Sequence, residues 1–261
     1  MDTSTCIFES PMYKVFQDES HIWLQRSSDP ETNLSILNTD TTERVAISDH
    51  MKAMLQPLSF IDHPRDMLLL GLGGGAAVRF IDRYLPELQL TAIEIDPDIV
   101  AIAQTYFSLP QADEQFRVVV ADAAEFVRRE AAPCDFILSN AFGEKNHMSD
   151  ALHDAEFYKS CHRILRTDGV IAVNIFRPPA DWGRAYLEML NRIFAEVYFI
   201  KLSEISFVMV LCKDRVSRRW PSILRTATRL DCSTSSAEVD FAGFVTRLQA
   251  GLAIQQAAGT R

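Results

Sequence analysis

The spacing of apolar and polar positions changes along the chain, and each change predicts an element. Between residues 6 and 47 short runs alternate, Tyr13-Lys-Val-Phe-Gln17 and His21-Ile-Trp-Leu-Gln25, with the acidic turn Asp18-Glu19-Ser20 between them. Period-two alternation broken by a turn predicts a small antiparallel β-hairpin region. Met51, Met54, Leu55 and Leu58 then recur at helical spacing, so a helix from Asp49 to Phe60 is expected to lead into the main domain. At Met67, Leu68, Leu69 and Leu70 the alternation disappears. A short unbroken apolar run is what a parallel strand shows when both of its faces are buried.

Strand and helix patterns then take turns. A second strand is expected at Leu90 to Ile95, a helix from Pro97 to Phe107, a strand from Phe116 to Val120 and a helix from Ala124 to Glu130. Strand Phe136 to Ser139 and a loop from Asn140 to His153 follow, then helix Glu156 to Leu165, strand Val170 to Ile175 and helix Asp181 to Phe194. Val197 to Leu202 and Phe207 to Leu211 read as a closing antiparallel pair, and Arg215 to Arg261 as amphipathic helices with a polar break from Cys232 to Ser236. This order requires an α/β fold: a Rossmann-like, mostly parallel sheet with helices on both faces and ligands at the strands' carboxyl ends. Residues 1–60 form the N-terminal hairpin region and lead-in helix, 61–214 the α/β core and 215–261 a C-terminal helical extension.

Composition narrows the partners. The net charge is −9 and the basic residues are scattered, which argues against nucleic acid and favours cationic or neutral substrates. Five cysteines without CxxC spacing fit a reduced, cytoplasmic chain. No apolar run approaches the ~20 residues of a membrane span, and the start MDTSTCIFESP lacks the features of a signal peptide. The six histidines show no metal-ligand spacing and HExxH is absent, so no metal is expected.

The candidate chemistry lies in residues 67 to 96, MLLLGLGGGAAVRFIDRYLPELQLTAIEID, which read as strand, glycine loop, helix, second strand and acidic stop. Gly71, Gly73, Gly74 and Gly75 let the backbone pass close to a ligand, and the helix that opens near Ala76 can point its free N–H groups there. Glu94 follows Gly71 by 23 positions (94 − 71). An acid about 20 residues on, at a strand's carboxyl end, is placed to grip a ribose diol. Ala76 stands where a GxGxxG pattern would have its third glycine, a replacement that dinucleotide fingerprints tolerate.

With GLGGG at 71–75, EIDPDIV at 94–100, ADAAEF at 121–126, DFILSNAFG at 135–143 and EFYKSCHRILRTDGVIAVNIF at 156–176, the chain resembles the spermidine synthase family. These are polyamine aminopropyltransferases of the class I S-adenosylmethionine-dependent methyltransferase fold, and the resemblance is greatest to divergent bacterial spermidine synthase-like proteins. It implies that Gly71, Gly73 and Gly75 line a thioether nucleoside and that Glu94 binds both ribose hydroxyls. A carboxylate suits a vicinal diol, because it accepts two hydrogen bonds strengthened by its charge. It also implies that Asp122 accepts the adenine amino group beside the backbone donor of Ala123, with Ile95 and Phe126 flanking the purine. The residues alone read Asp122 equally well as an N-cap of the following helix, and Ile95 and Phe126 as core.

One departure concerns the chemistry itself. The family places an aspartate after the DFIL strand to deprotonate the attacking amine, and here that position is Asn140, in Asn140-Ala-Phe-Gly143 instead of DSxDP. An amide takes up no proton and carries no charge to attract a polyamine. Asn140 is then expected to position the acceptor, with Glu144, His147 or Asp150 as a base from the loop. The family's upstream Tyr-His motif does not carry over to Ser48-Asp49-His50-Met51. The resemblance implies S-adenosylmethionine or its decarboxylated form as co-substrate, a small-molecule acceptor with polyamines among the candidates, and a homodimer. Methyl transfer, nucleoside binding without catalysis and, from the βαβ unit alone, NAD-dependent oxidoreduction are the alternatives.

Overall fold

The computed structural model describes residues 4–39, 47–129, 131–142, 150–178, 182–234 and 239–258. The expected N-terminal hairpin region is a four-stranded antiparallel sheet. Strands β1 (Thr5–Glu9), β2 (Tyr13–Gln17), β3 (His21–Arg26) and β4 (Asp29–Asn38) pair antiparallel in chain order. Tyr13, Val15, Leu24 and Leu37 are buried, and they share a small core with Ile99, Ile102 and Phe107 of the main domain.

Helix α1 (Asp49–Leu55) starts at Ser48, whose hydroxyl accepts the Met51 N–H at 3.2 Å. It is shorter than the apolar spacing predicts. Pro57 carries no N–H to continue the α pattern, and the chain tightens into a 3₁₀ turn over Gln56–Phe60.

The main sheet has seven strands. Strand β5 (Asp66–Leu70) leads to α2 (Ala76–Tyr84), β6 (Gln89–Glu94), α3 (Pro97–Tyr106), β7 (Phe116–Val120), α4 (Ala123–Arg129) and β8 (Cys134–Ser139). Then come α5 (Ala155–Ile164), β9 (Leu165–Phe176), α6 (Arg184–Ile193), β10 (Glu196–Lys201), β11 (Ser206–Cys212), α7 (Trp220–Thr234) and α8 (Phe241–Ala258). The spatial order is β10-β11-β9-β8-β5-β6-β7. All neighbours are parallel except β11, which runs against both β9 and β10. This is the mostly parallel α/β sheet that the alternation of elements predicts, and it agrees with the class I methyltransferase fold that the resemblance implies.

Successive residues of the inner strands face opposite cores. Met67, Leu69, Phe136, Leu138, Val170 and Ala172 belong to one, and Leu68, Leu70, Ile137, Ile171 and Val173 to the other. This is why the strands carry unbroken apolar runs. Helices α7 and α8 share the first core through Ile223, Ala227, Phe241 and Phe244, and Phe244 stacks on the buried Phe60 ring at 5.7 Å. No helix among the described residues is long and apolar enough to cross a membrane.

Candidate functional site

Parallel pairing brings the strands' carboxyl ends to one edge. Leu70 lies opposite Ile93 and Ser139, Glu94 opposite Val120, and Ser139 opposite Val173. From β5 the chain passes outward to β6 and β7, then returns to β8 on the other side, so the strand order reverses between β5 and β8. The first residues past the strands keep the ladder going: Gly71 N–H donates to Ile93 O at 2.8 Å, Ala121 N–H to Glu94 O at 3.0 Å and Asn140 N–H to Leu70 O at 2.8 Å. Gly71, Glu94, Asp122 and Asn140, named from the sequence, therefore occupy one edge around the reversal, where open α/β sheets bind ligands.

Gly71, Gly73 and Gly75 all have positive φ, at 87°, 53° and 74°. At Gly71 the reason extends beyond the turn: a Cβ there would sit 2.7 Å from the Asn140 backbone oxygen and 2.8 Å from Ala141 Cα. The absence of a side chain lets the glycine loop touch the loop after β8. Gly75 begins α2 without a side-chain cap, which leaves the first N–H groups of that helix free toward the loop.

Glu94 is buried, and its carboxylate fastens the loop to the end of β6. Leu72 N–H donates to Oε2 at 2.9 Å and Asp96 N–H to Oε1 at 3.1 Å. A carboxylate has roughly four acceptor sites, so each oxygen retains capacity for a ligand hydroxyl. Asp122 caps α4: its Oδ1 accepts Glu125 N–H at 2.8 Å. Ala123, the first residue of α4, is buried. Ile95 lies just beyond β6 and is 65% exposed, and Val120 at the end of β7 is 53% exposed. Two apolar side chains thus stand open beside Glu94 and Asp122, while Phe126 is packed into the second core.

The N-terminal sheet completes this half of the site. Tyr13 of β2 donates its hydroxyl to Asp96 Oδ2 at 2.6 Å, and Ser35 of β4 accepts Gly74 N–H at 2.7 Å. Burial, and next the hydrogen bond to Asp96, raise the Tyr13 pKa, which keeps the phenol a donor. Behind the loop, buried Arg79 donates to the carbonyls of Gly74 and Phe107; burial alone lowers it to about 10. Neither Tyr13 nor Ser35 carries a sequence signal, because each comes to the loop from a distant part of the chain.

On the other side of the reversal, Asn140 Oδ1 accepts the amide N–H of Asn174 at 2.7 Å. Asn174 is the one polar residue in the run Val170 to Phe176, a signal that sequence reasoning passed over. Its own Oδ1 is buried without a partner, as is His50 Nε2 of α1. Orphaned buried polar atoms cost about 1–3 kcal/mol each, and Asn174 lies one hydrogen bond from Asn140. His50 lies against Asn174, and burial holds its pKa below the usual histidine value, opposed in part by that amide. Of the bases expected from the loop, Glu144 and His147 lie outside the described residues, and Asp150 is exposed at the start of a 3₁₀ turn. Among the described residues no group of three or more His, Cys, Asp or Glu side chains is placed to hold a metal ion. A recess lined by Val78, Leu90 and Phe116 lies at the strands' amino ends and contains none of Gly71, Glu94, Asp122 and Asn140.

Residues 48–176 match the spermine/spermidine synthase domain. A polyamine aminopropyltransferase of Chromobacterium violaceum is 30% identical over 223 residues, which cover 84% of this chain and 83% of that protein. The chain belongs to the spermine/spermidine synthase family. Two solved structures share its fold. Human methyltransferase-like protein 13, crystallised with SAH, covers 72% of this chain and 93% of its own at TM-score 0.63 and 24% identity. A spermidine synthase in complex with the transition state analogue AdoDATO covers 80% of this chain and 74% of its own at TM-score 0.61 and 19% identity. The family and these relatives support an aminopropyl or methyl transferase.

Proposed function

We propose that this protein transfers an alkyl group from S-adenosylmethionine or its decarboxylated form to a small amine. Glu94 carries the reading. Its carboxylate lies buried at the carboxyl end of β6, tied to the glycine loop, with acceptor capacity left for two ribose hydroxyls. Asp122 accepts the adenine amino group through the oxygen that does not cap α4, the Ala123 N–H donates to the ring, and Ile95 and Val120 face the base. The AdoDATO and SAH bound by the two structural neighbours support a nucleoside in this place. The sulfonium is an activated leaving group, so holding the amine in line does most of the catalytic task. Polyamines are among the acceptors, and the five free cysteines suit a cytoplasmic setting.

Asn140 favours a second reading, methyl transfer, because an amide orients an acceptor without attracting a polycation. Nucleoside products separate the two. Incubation with 1,4-diaminobutane and decarboxylated S-adenosylmethionine should release methylthioadenosine if the aminopropyl group moves, whereas S-adenosylhomocysteine from S-adenosylmethionine would mark methyl transfer. If a panel of amines yields neither nucleoside, the transferase reading is wrong.

A further inference from the structure

Resting on the nucleoside site proposed for Glu94, we infer that Tyr13 is a positioning residue that aims the Glu94 carboxylate, and through it makes the protein select a nucleoside with a vicinal diol. Glu94 and Asp96, at the end of β6, are linked through one peptide group. Asp96 N–H donates to Glu94 Oε1 at 3.1 Å, so one of the two oxygens offered to the ribose is fixed by where the Asp96 peptide lies. Asp96 is in turn held through its side chain. Its Oδ1 accepts Asp98 N–H at 2.9 Å at the start of α3, and its Oδ2 accepts the Tyr13 hydroxyl at 2.6 Å from 83 positions away. The first bond is local to the turn, whereas the second anchors that turn to the N-terminal sheet.

Tyr13 has little freedom of its own. It is 1% exposed and packs with Ile99, Ile102 and Phe107 of the main domain. Ser10 Oγ accepts its N–H at 3.0 Å, and Ser10 N–H donates to its carbonyl at 2.8 Å. The phenol is therefore a fixed donor whose rotamer freedom is lost on folding and not when a ligand arrives. Burial is the largest cause of its raised pKa and the Glu94 charge is among the smaller ones, so the hydroxyl lies in the field of both carboxylates and stays protonated.

A carboxylate that receives both hydroxyls of a diol must keep its direction to within about 10–20°. Removal of the phenol oxygen takes the anchor from Asp96 Oδ2 and lets the peptide that fixes Glu94 Oε1 turn. The groups proposed for the adenine, Asp122 and Ala123, stand between β7 and α4 and do not depend on that anchor. The loss therefore falls on the ribose hydroxyls alone.

The test is calorimetric titration of the wild type and Tyr13→Phe with 5′-methylthioadenosine and with its 2′,3′-dideoxy analogue. Phenylalanine keeps the packed ring and removes only the hydroxyl. Methylthioadenosine should bind the variant about tenfold more weakly, while the dideoxy analogue, which has no hydroxyl for Glu94, should bind both proteins alike. Equal affinity for methylthioadenosine in the two proteins overturns the role. So does an equal loss with both ligands, which would make the phenol a contact of the fold alone. A spectroscopic measurement guards against a variant that does not fold. With fluorotyrosine incorporated in the otherwise wild-type chain, the Tyr13 fluorine resonance should move when methylthioadenosine binds and keep its position when the dideoxy analogue does; a resonance that ignores bound methylthioadenosine also overturns the role. Failure of the site itself looks different: if the wild type binds neither ligand, or both equally, the Glu94 reading falls and the role of Tyr13 with it.

Discussion

On the proposed reading Glu94 performs two tasks with one group, so replacing it acts on the loop and on a ligand together. Glu94→Gln retains the shape but removes the charge that strengthens its contacts with Leu72 and Asp96. Hydrogen bonds to charged groups contribute about 1.5–3 kcal/mol. Methylthioadenosine binding should therefore weaken at least about tenfold in calorimetry, and equal affinity in the variant would remove Glu94 from the site. Gly71→Ala probes the loop's contact with Asn140. The substitution meets both a positive φ and backbone atoms within 3 Å, neither of which a flexible side chain can relieve. It should destabilise the protein by more than about 1 kcal/mol, read as a lower urea midpoint. Asn140→Asp tests the lost acid. A carboxylate there would attract the ammonium and accept its proton, and should raise the rate with 1,4-diaminobutane at least about tenfold; no change would mean that the acceptor pocket differs from that of polyamine synthases.

Among the elements, the N-terminal sheet connects most directly to function. It packs on α3 and reaches the glycine loop through the Ser35 hydroxyl, which receives the Gly74 N–H. Ser35→Ala leaves that donor unpaired at a cost of about 1 kcal/mol, or about 2–4 °C in melting temperature for a chain of this size. An unchanged melting curve would show that the sheet does not brace the loop. This element is also the least legible in the sequence. Strand β4, Asp-Pro-Glu-Thr-Asn-Leu-Ser-Ile-Leu-Asn, is polar over its first half and buries only Leu37 fully, so its strand character comes from pairing with β3 and not from its own pattern. Strand β9 is likewise longer than its apolar run, because Leu165 to Gly169 extend it along β8 through a register shift.

For the molecule as a whole, local signals convey the frame and distant contacts complete the site. The alternation of runs announces the parallel sheet, and Gly71, Glu94 and Asp122 are legible because the reversal of strand order lies where their motifs fall. Tyr13, Ser35, His50 and Asn174 are not, since each gains its position from packing between segments far apart in sequence. The folded molecule also confers a pH dependence. His153 is buried against Tyr158 and Trp182, and burial lowers its pKa to about 4. Between pH 6.5 and 4 the unfolded chain takes up a proton at this residue that the folded one refuses. Stability should therefore fall as the pH drops through that window, by up to about 1.4 kcal/mol per unit, and level off below it. Urea midpoints measured against pH should show a shallower slope for His153→Gln; parallel slopes would assign the acid sensitivity to other groups. The central claim, a sulfonium nucleoside held at the carboxyl edge by Glu94, is tested most directly by calorimetric titration with S-adenosylmethionine, its decarboxylated form and NAD. Binding of one of the two sulfonium nucleosides in preference to NAD, lost or sharply weakened in Glu94→Gln, is the expected result; binding of NAD alone, or of none of the three, would contradict it.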